Sequence, residues 1–413
     1  MSIIILDANG SFLGKTEENG KIRHFIRDKK VKIVERNPFT VQIIDESLLD
    51  SFNFENEENK LDSLSHKLFL NSSDDNLWNY IPLGEVSTEK IQQFGWYLND
   101  ENISKYAYDS YPCTTFLITG GIGSGKSMLV SRIISHANKF SDKIQLIGAD
   151  SPRLEFSKKE NQFTSVVKDT IAIASITETL QKIMMKNFVM MEKCQVNNIR
   201  KVANKQFKVD YYEFNDKAYQ FDEIFSVKID FDHSSRNYSR LHSIYPDDKQ
   251  VLAMTIQDIY NDLQNGTYDQ VEINGQILKA DDIIKTSDNY KHKSIIFIID
   301  EMNELMDSDD FKSISAIKLS LGSIARLGRA AGVHLCLVCQ RPSGNTISTD
   351  LKNNIGLSIL LGKFDSGFSD LMFGKDISDL CKSHNKGRGF ITQGSNILEI
   401  QTYCGEYSGT INY

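Results

Sequence analysis

Apolar residues are spaced in two alternating ways along most of the chain. Strand-like runs occur at Phe116–Ile118, Lys143–Ile147, Ile295–Ile299 and Val333–Val338. An apolar run of this length without polar alternation predicts a strand covered on both faces. Between the runs lie segments with apolar residues at helical spacing: Met128–Ile134, Ser175–Cys194 (Ile176, Leu180, Ile183, Met184, Met191) and Phe311–Leu327. Strands and helices taking turns predict an α/β fold with a mainly parallel central sheet, because parallel neighbours need a crossover between them. Ile397–Tyr403 adds a last strand-like run.

Two regions depart from this rhythm. Residues 1–76 carry short β-like runs (Ser2–Leu6, Lys30–Val34, Thr40–Ile44), then a helical pattern with Leu61, Leu64 and Leu68 on one face. They predict a small N-terminal α+β domain, joined through the polar run Asn71–Asn76 to a larger domain over 77–413. Trp78, Phe94, Trp96 and Tyr97 anchor the lead-in to that domain. Residues 197–292 are rich in aromatic and acidic residues, with a helical pattern only at Gln250–Leu263. A structureless loop of that length does not fit a compact domain, so a folded insertion is expected, its aromatics forming a small core.

The candidate chemistry sits where strands end. After Phe116–Ile118 comes Gly120-Gly121-Ile122-Gly123-Ser124-Gly125-Lys126-Ser127-Met128, which fits the phosphate-loop pattern G-x-x-x-x-G-K-[ST] and is followed by a helix as that motif requires. Glycines let the loop turn its N–H groups inward, and the helix start adds a positive dipole end, so a triphosphate is held mainly by main chain. Lys126 is expected to reach the β- and γ-phosphates, and the Ser127 hydroxyl to ligate Mg²⁺. The run Ile295–Ile299 ends in Asp300-Glu301. Paired with an upstream phosphate loop, these carboxylates divide the work: Asp300 holds Mg²⁺ and Glu301 polarises the water that attacks the γ-phosphate. Val333–Val338 ends in Gln340-Arg341-Pro342-Ser343, and Gln340 is placed to sense the γ-phosphate. Lys143–Ile147 likewise ends in polar residues from Asp150 to Glu155, where an open α/β sheet presents groups to ligands.

Composition narrows the setting more than the chemistry. At 413 residues with 40% apolar and 25% charged positions, the chain is ordinary for a soluble globular protein of two or three domains. No apolar run approaches the roughly 18 residues of a membrane span, and MSIIILDANG meets Asp7 too soon for a signal peptide. A cytoplasmic protein is expected. Net charge of −8 argues against a wholly basic surface, although a ring can be basic only in its channel. Seven basic residues against two acidic ones lie between Lys21 and Arg36, readable as a solvated strand face or as a patch for DNA, an anionic membrane or an acidic partner. Cys336 and Cys339 lie within an apolar run and read as buried strand residues. No histidine spacing suggests a metal site.

The combination of motifs is specific. The phosphate loop, IIDEMNELM, Arg329-Ala-Ala-Gly-Val-His334, Cys339-Gln-Arg-Pro342 and Lys352-Asn-Asn-Ile355 follow the order of the motor domain of the FtsK/SpoIIIE family of DNA translocases. KGRGFI further on and Asp150–Glu155 also resemble family segments, the latter with one residue inserted. The resemblance covers about Phe94–Gln401 apart from the insertion, and implies a RecA-like ATPase with ATP and Mg²⁺. It further implies a homo-oligomeric ring, usually a hexamer, that pumps double-stranded DNA through its pore. With ATP between subunits, a neighbour's arginine is expected at the γ-phosphate. Arg326, Arg329 and Arg341 are candidates, each readable as a structural salt bridge instead. The family's N-I-P-T-R segment has Ser358 at its arginine. The absence of N-terminal spans and of a winged-helix end argues against a cell-division translocase. The expectation is therefore a conjugative or mobile-element DNA-transfer ATPase, with a membrane-channel or relaxosome protein recruiting it to the membrane. A phage or plasmid packaging or maintenance motor and a protein-secretion ATPase are the alternatives.

Overall fold

The computed structural model describes residues 3–6, 12–16, 32–34, 40–43, 78–87, 91–99, 112–150, 156–230, 249–374, 376–378, 386–393 and 396–403. Near the N-terminus, β1 (Ile3–Leu6), β2 (Phe12–Thr16), β3 (Lys32–Val34) and β4 (Thr40–Ile43) form a sheet of order β2-β1-β4-β3. Strands β1 and β4 pair in parallel, the other pairs antiparallel. Strand β2 is an element the sequence pattern missed. The helical pattern at Leu61–Leu68, the Asn71–Asn76 run and Lys21–Lys30 lie outside the described residues.

The lead-in is itself sheet. Strands β5 (Tyr80–Ser87) and β6 (Ile91–Tyr97) form an antiparallel pair that joins the main sheet, and Phe94, Trp96 and Tyr97 are buried there. The motor core then runs β7 (Thr115–Gly120), α1 (Lys126–Lys139), β8 (Ile144–Ala149), β9 (Ser165–Val167) and α2 (Thr170–Cys194). The insertion holds α3 (Arg200–Ala203), β10 (Lys208–Phe214), β11 (Lys217–Gln220), β12 (Ile224–Asp230), β13 (Lys249–Thr255), α4 (Ile256–Gln264), β14 (Val271–Ile273), β15 (Gln276–Leu278) and β16 (Ile284–Asn289). The core resumes with β17 (Ser294–Ile299), α5 (Met302–Met306), α6 (Phe311–Ala331) and β18 (Val333–Cys339). It ends with α7 (Thr349–Asn353), β19 (Leu357–Leu361), α8 (Ser366–Phe373), β20 (Arg388–Gln393) and β21 (Asn396–Thr402).

Ten strands make one sheet in the order β6-β5-β21-β20-β19-β7-β18-β17-β8-β9. From β19 to β9 every neighbour is parallel; from β19 to β6 every neighbour is antiparallel. Successive side chains of a strand point to opposite faces, and β17 divides accordingly. Ile295, Phe297 and Ile299 join the cluster under α2 and α6, while Ile296 and Ile298 join the cluster under α1. Asp169 caps α2 by accepting from Ala172 N at 2.7 Å, and Asp310 caps α6 by accepting from Ser313 N at 3.1 Å. Helix α6 runs four residues past the expected Leu327 because its stop is Gly332, left-handed at φ 75°.

Residues 197–292, expected to be an insertion, share a core with the large sheet. Tyr212, Phe214, Phe221 and Phe225 are buried in the same cluster as α2 and the central sheet, so these four aromatics are core residues, while Phe231, Tyr238 and Tyr245 lie outside the described residues. One expectation fails here: Lys249–Thr255 is strand, paired along its length with β12, and the helix begins only at Ile256. Thr255 divides the two, its hydroxyl accepting from Asp258 N at 3.1 Å as an N-cap. The insertion also covers the sheet edge at β9. Ser226 Oγ lies 2.9 Å from Ser165 Oγ and accepts from Val166 N at 3.3 Å, which satisfies a donor that an open edge would leave bare. No helix of the described residues is long and apolar enough to cross a membrane.

Candidate active site

The phosphate loop joins β7 to α1. Gly120, Gly123 and Gly125 have φ of 147°, 78° and 108°, values that only glycine adopts without strain. A Cβ on Gly125 would sit 2.8 Å from Gly387 N, while one on Gly121 or Gly123 would meet nothing within 4 Å. The loop is therefore closely backed on one side and open on the other. The backing comes from the chain's far end: Gly387 N donates to Ser124 O at 2.8 Å, and Gly387 O accepts from Thr402 N at 2.8 Å. Ile122 is 87% exposed at the loop tip, and Ser127 is exposed at the start of α1. The Lys126 ammonium lies across the loop, donating to Gly120 O at 2.6 Å and Gly121 O at 3.1 Å.

Strand β18 stands between β7 and β17, so the carboxylates ending β17 lie two strands, about 10 Å, from the phosphate-loop strand. Gln340 follows β18 and fills the gap: its Nε2 donates to Glu301 Oε2 at 2.8 Å. Cys339, at the end of β18, feels both flanks. Burial raises its thiol pKa, the Glu301 carboxylate pushes the same way, and the Lys126 ammonium opposes them. Asp300, half-buried, donates its N–H to Ala149 O at 3.1 Å, and the neighbouring Asp150 at the end of β8 is buried.

The sequence profile of the FtsK/SpoIIIE family matches residues 100–344, a span containing the phosphate loop, Asp300-Glu301 and Gln340. The chain belongs to the FtsK/SpoIIIE family. Within it, the Ftsk domain-containing protein YdcQ of Bacillus subtilis (strain 168) is 28% identical over 121 residues, a match spanning 28% of this chain and 25% of that protein. Among solved structures, the pCW3 conjugation coupling protein TcpA, determined with ATPγS, is similar with a TM-score of 0.47 and 19% identity, covering 80% of this chain and 68% of that one. ATPases 2 and 3 of EssC from Geobacillus thermodenitrificans give 0.47 and 14%, covering 79% and 44%.

An FtsK/SpoIIIE motor takes ATP with a divalent metal, and the residues here fit both. The open side of the glycine loop leaves room for phosphates, and Ser127 and Asp300 offer hydroxyl and carboxylate oxygens, the donors a hard cation such as Mg²⁺ prefers. The described residues contain no group of three or more His, Cys, Asp or Glu placed to hold a metal by themselves. Magnesium bound through few protein ligands plus phosphates is the usual nucleotide arrangement.

The candidate arginines part company. Arg341 follows Gln340 and is exposed beside the site. Arg326 is paired with Asp350, its Nη1 lying 3.1 and 2.9 Å from the two carboxylate oxygens. Arg329 sits in the last turn of α6 and donates to Pro112 O at 3.2 Å, beside the starts of β7 and β18. That is a strand's length, roughly 20 Å, from the phosphate loop of its own chain. Two groups at the site escaped sequence reasoning. Asn303, just after the acid pair, links α5 to the loop after β18, and Gly387 backs the phosphate loop at Ser124 from far along the sequence. The latter lies within KGRGFI, but nothing in that motif announces the contact.

Proposed function

We propose that the chain is the motor of a DNA translocase that hydrolyses ATP in a homo-oligomeric ring, a hexamer, and drives double-stranded DNA through the pore. The observation that carries the reading is the Glu301–Gln340 pair across the ends of β17 and β18, with the phosphate loop on the other side of β18. The substrate's phosphates lie along Gly120–Gly125 and the start of α1, held by backbone N–H groups from Gly121 to Met128. Lys126 exchanges its two loop carbonyls for phosphate oxygens. Ser127 and Asp300 would hold Mg²⁺, which when bound would supply positive charge against the phosphates.

Glu301 accepts the proton of the attacking water as its oxygen bonds to the γ-phosphorus and the bond to the ADP oxygen breaks. The Gln340 amide, here donating to Glu301, can instead donate to a γ-phosphate oxygen, so it reports nucleotide state to the base. A neighbour's Arg329 or Arg341 completes the charge on the γ-phosphoryl group. The setting is conjugative or other mobile-element DNA transfer, on the cytoplasmic side of a membrane channel. The N-terminal domain or the insertion docks the motor to a channel or relaxosome protein.

The test is a third-strand displacement assay on long duplex DNA. ATP-dependent release of the third strand, lost in Glu301→Gln, is expected. Active hydrolysis without displacement on any duplex would point to protein export by the same core.

A further inference from the structure

Glu301 occupies backbone space that its side chain resists. Its φ of 56° and ψ of 64° are left-handed, a conformation in which Cβ crowds the following carbonyl oxygen. Such a residue stays in place only when its surroundings over-determine it. Upstream the chain is fixed by β17 and by the Asp300 N–H bond to Ala149 O. Downstream α5 is anchored by its buried Met302, Leu305 and Met306 and by the side chain of Asn303. Asn303 Oδ1 accepts from Gln340 N at 3.3 Å, and its Nδ2 donates to Arg341 O at 2.7 Å and to Thr346 Oγ1 at 3.1 Å. Thr346 Oγ1 in turn lies 2.9 Å from Ser343 Oγ, which accepts from Thr346 N at 3.2 Å.

One amide thus ties the turn that carries Glu301 to the loop that carries Gln340, in addition to the direct Gln340–Glu301 bond. We infer that Asn303 is a positioning residue for hydrolysis, holding Glu301 and Gln340 in register by bracing α5 against the 340–346 loop. Asn303 touches neither water nor phosphate in this role. Its removal loosens two catalytic groups at once and leaves the phosphate loop, on the other side of β18, untouched. The inference rests on the ATPase reading above.

The experiment is steady-state ATPase kinetics with separate measurement of nucleotide affinity by a fluorescent ATP analogue. Asn303→Ala is expected to lower kcat about 10- to 100-fold, the usual consequence of misplacing catalytic groups by a fraction of an ångström to 1 Å. Its nucleotide Kd is expected to stay within about twofold of the parent, since that affinity comes chiefly from the phosphate loop. Thr346→Val, which keeps shape and removes the hydroxyl, is expected to show a smaller drop. Thr346→Ser is expected to restore turnover. If Asn303→Ala does not fold, the Thr346 pair carries the test alone. Unchanged kcat in Asn303→Ala, or a Thr346→Val variant as active as Thr346→Ser, overturns the inference. Equal losses of kcat and affinity would make Asn303 merely structural and also overturn it. The parent and Glu301→Gln are run alongside: a parent without hydrolysis sinks the ATPase reading, turnover retained in Glu301→Gln removes Glu301 as its base, and an inactive Glu301→Gln beside a fully active Asn303→Ala refutes only the brace.

Discussion

The backbone at residue 301 gives a stability prediction whose sign is unusual. At an ordinary position glycine is less stable than alanine by roughly 0.5–1 kcal/mol, because the unfolded chain gains freedom. At φ 56° and ψ 64°, a residue with a Cβ carries about 1–2 kcal/mol of crowding that glycine escapes. Glu301→Ala and Glu301→Gly lose the same carboxylate and the same partner of Gln340, so their difference isolates the backbone. Glu301→Gly should therefore be the more stable of the two, by on the order of 1 kcal/mol. With a urea m-value near 3 kcal/mol/M, that is a midpoint shift of roughly 0.3 M. The assay is urea unfolding followed by tryptophan fluorescence, which reports the motor domain because both tryptophans, Trp78 and Trp96, lie there. Both variants should lack turnover. Equal midpoints, or a more stable alanine variant, would refute the strained conformation and with it the need for a brace at Asn303.

Three further expectations follow from the same geometry. Gln340→Ala should keep nucleotide affinity while kcat falls about 100-fold, the scale seen when one donor to developing charge is removed; full activity would take Gln340 out of the mechanism. Gly387→Ala places a Cβ 2.6 Å from Thr402 Oγ1 at φ 79°, and because Gly387 backs Ser124 it should weaken ATP binding as well as lower stability by about 1–3 kcal/mol; unchanged affinity would show that the backing turn does not shape the loop. Burial lowers the pKa of His136 and His334 to about 3, with the Trp78 carbonyl partly opposing it at His136 and Arg200 reinforcing it at His334, and burial also holds His292 well below the usual range. These groups bind fewer protons folded than unfolded, so stability should hold above pH 6.5 and fall between pH 6.5 and 3, each costing on the order of 1 kcal/mol one unit below its unfolded pKa. The slope of urea midpoint against pH checks this, and a His334→Leu variant with the parent's slope would contradict it.

The motor strands were legible because they are buried on both faces, which leaves continuous apolar runs such as Ile295–Ile299. Strands β5 and β6 hid because the first carries Pro82 and Gly84, where the pairing register shifts; both residues usually mark edges and bulges. The β13–α4 boundary was blurred since Val251–Met254 continues the apolar pattern of the helix behind it, and Thr255 was the readable stop. The candidate residues Asp300, Glu301 and Gln340 could be named one by one because each directly follows the end of a strand. The position of Arg329 was implicit in topology: a crossover helix ends where the next parallel strand begins, at the sheet end opposite the phosphate loop. Asn303 and Gly387 had no local pattern, since their roles depend on partners that only the closed sheet brings near.

The most direct test of the motor reading is the steady-state ATPase rate with Mg²⁺ at low salt, with and without long duplex DNA. Strong stimulation by duplex, declining as salt rises because phosphate contacts release counterions, and absent in Glu301→Gln, is the predicted result. A rate indifferent to DNA at concentrations where rings assemble would contradict it.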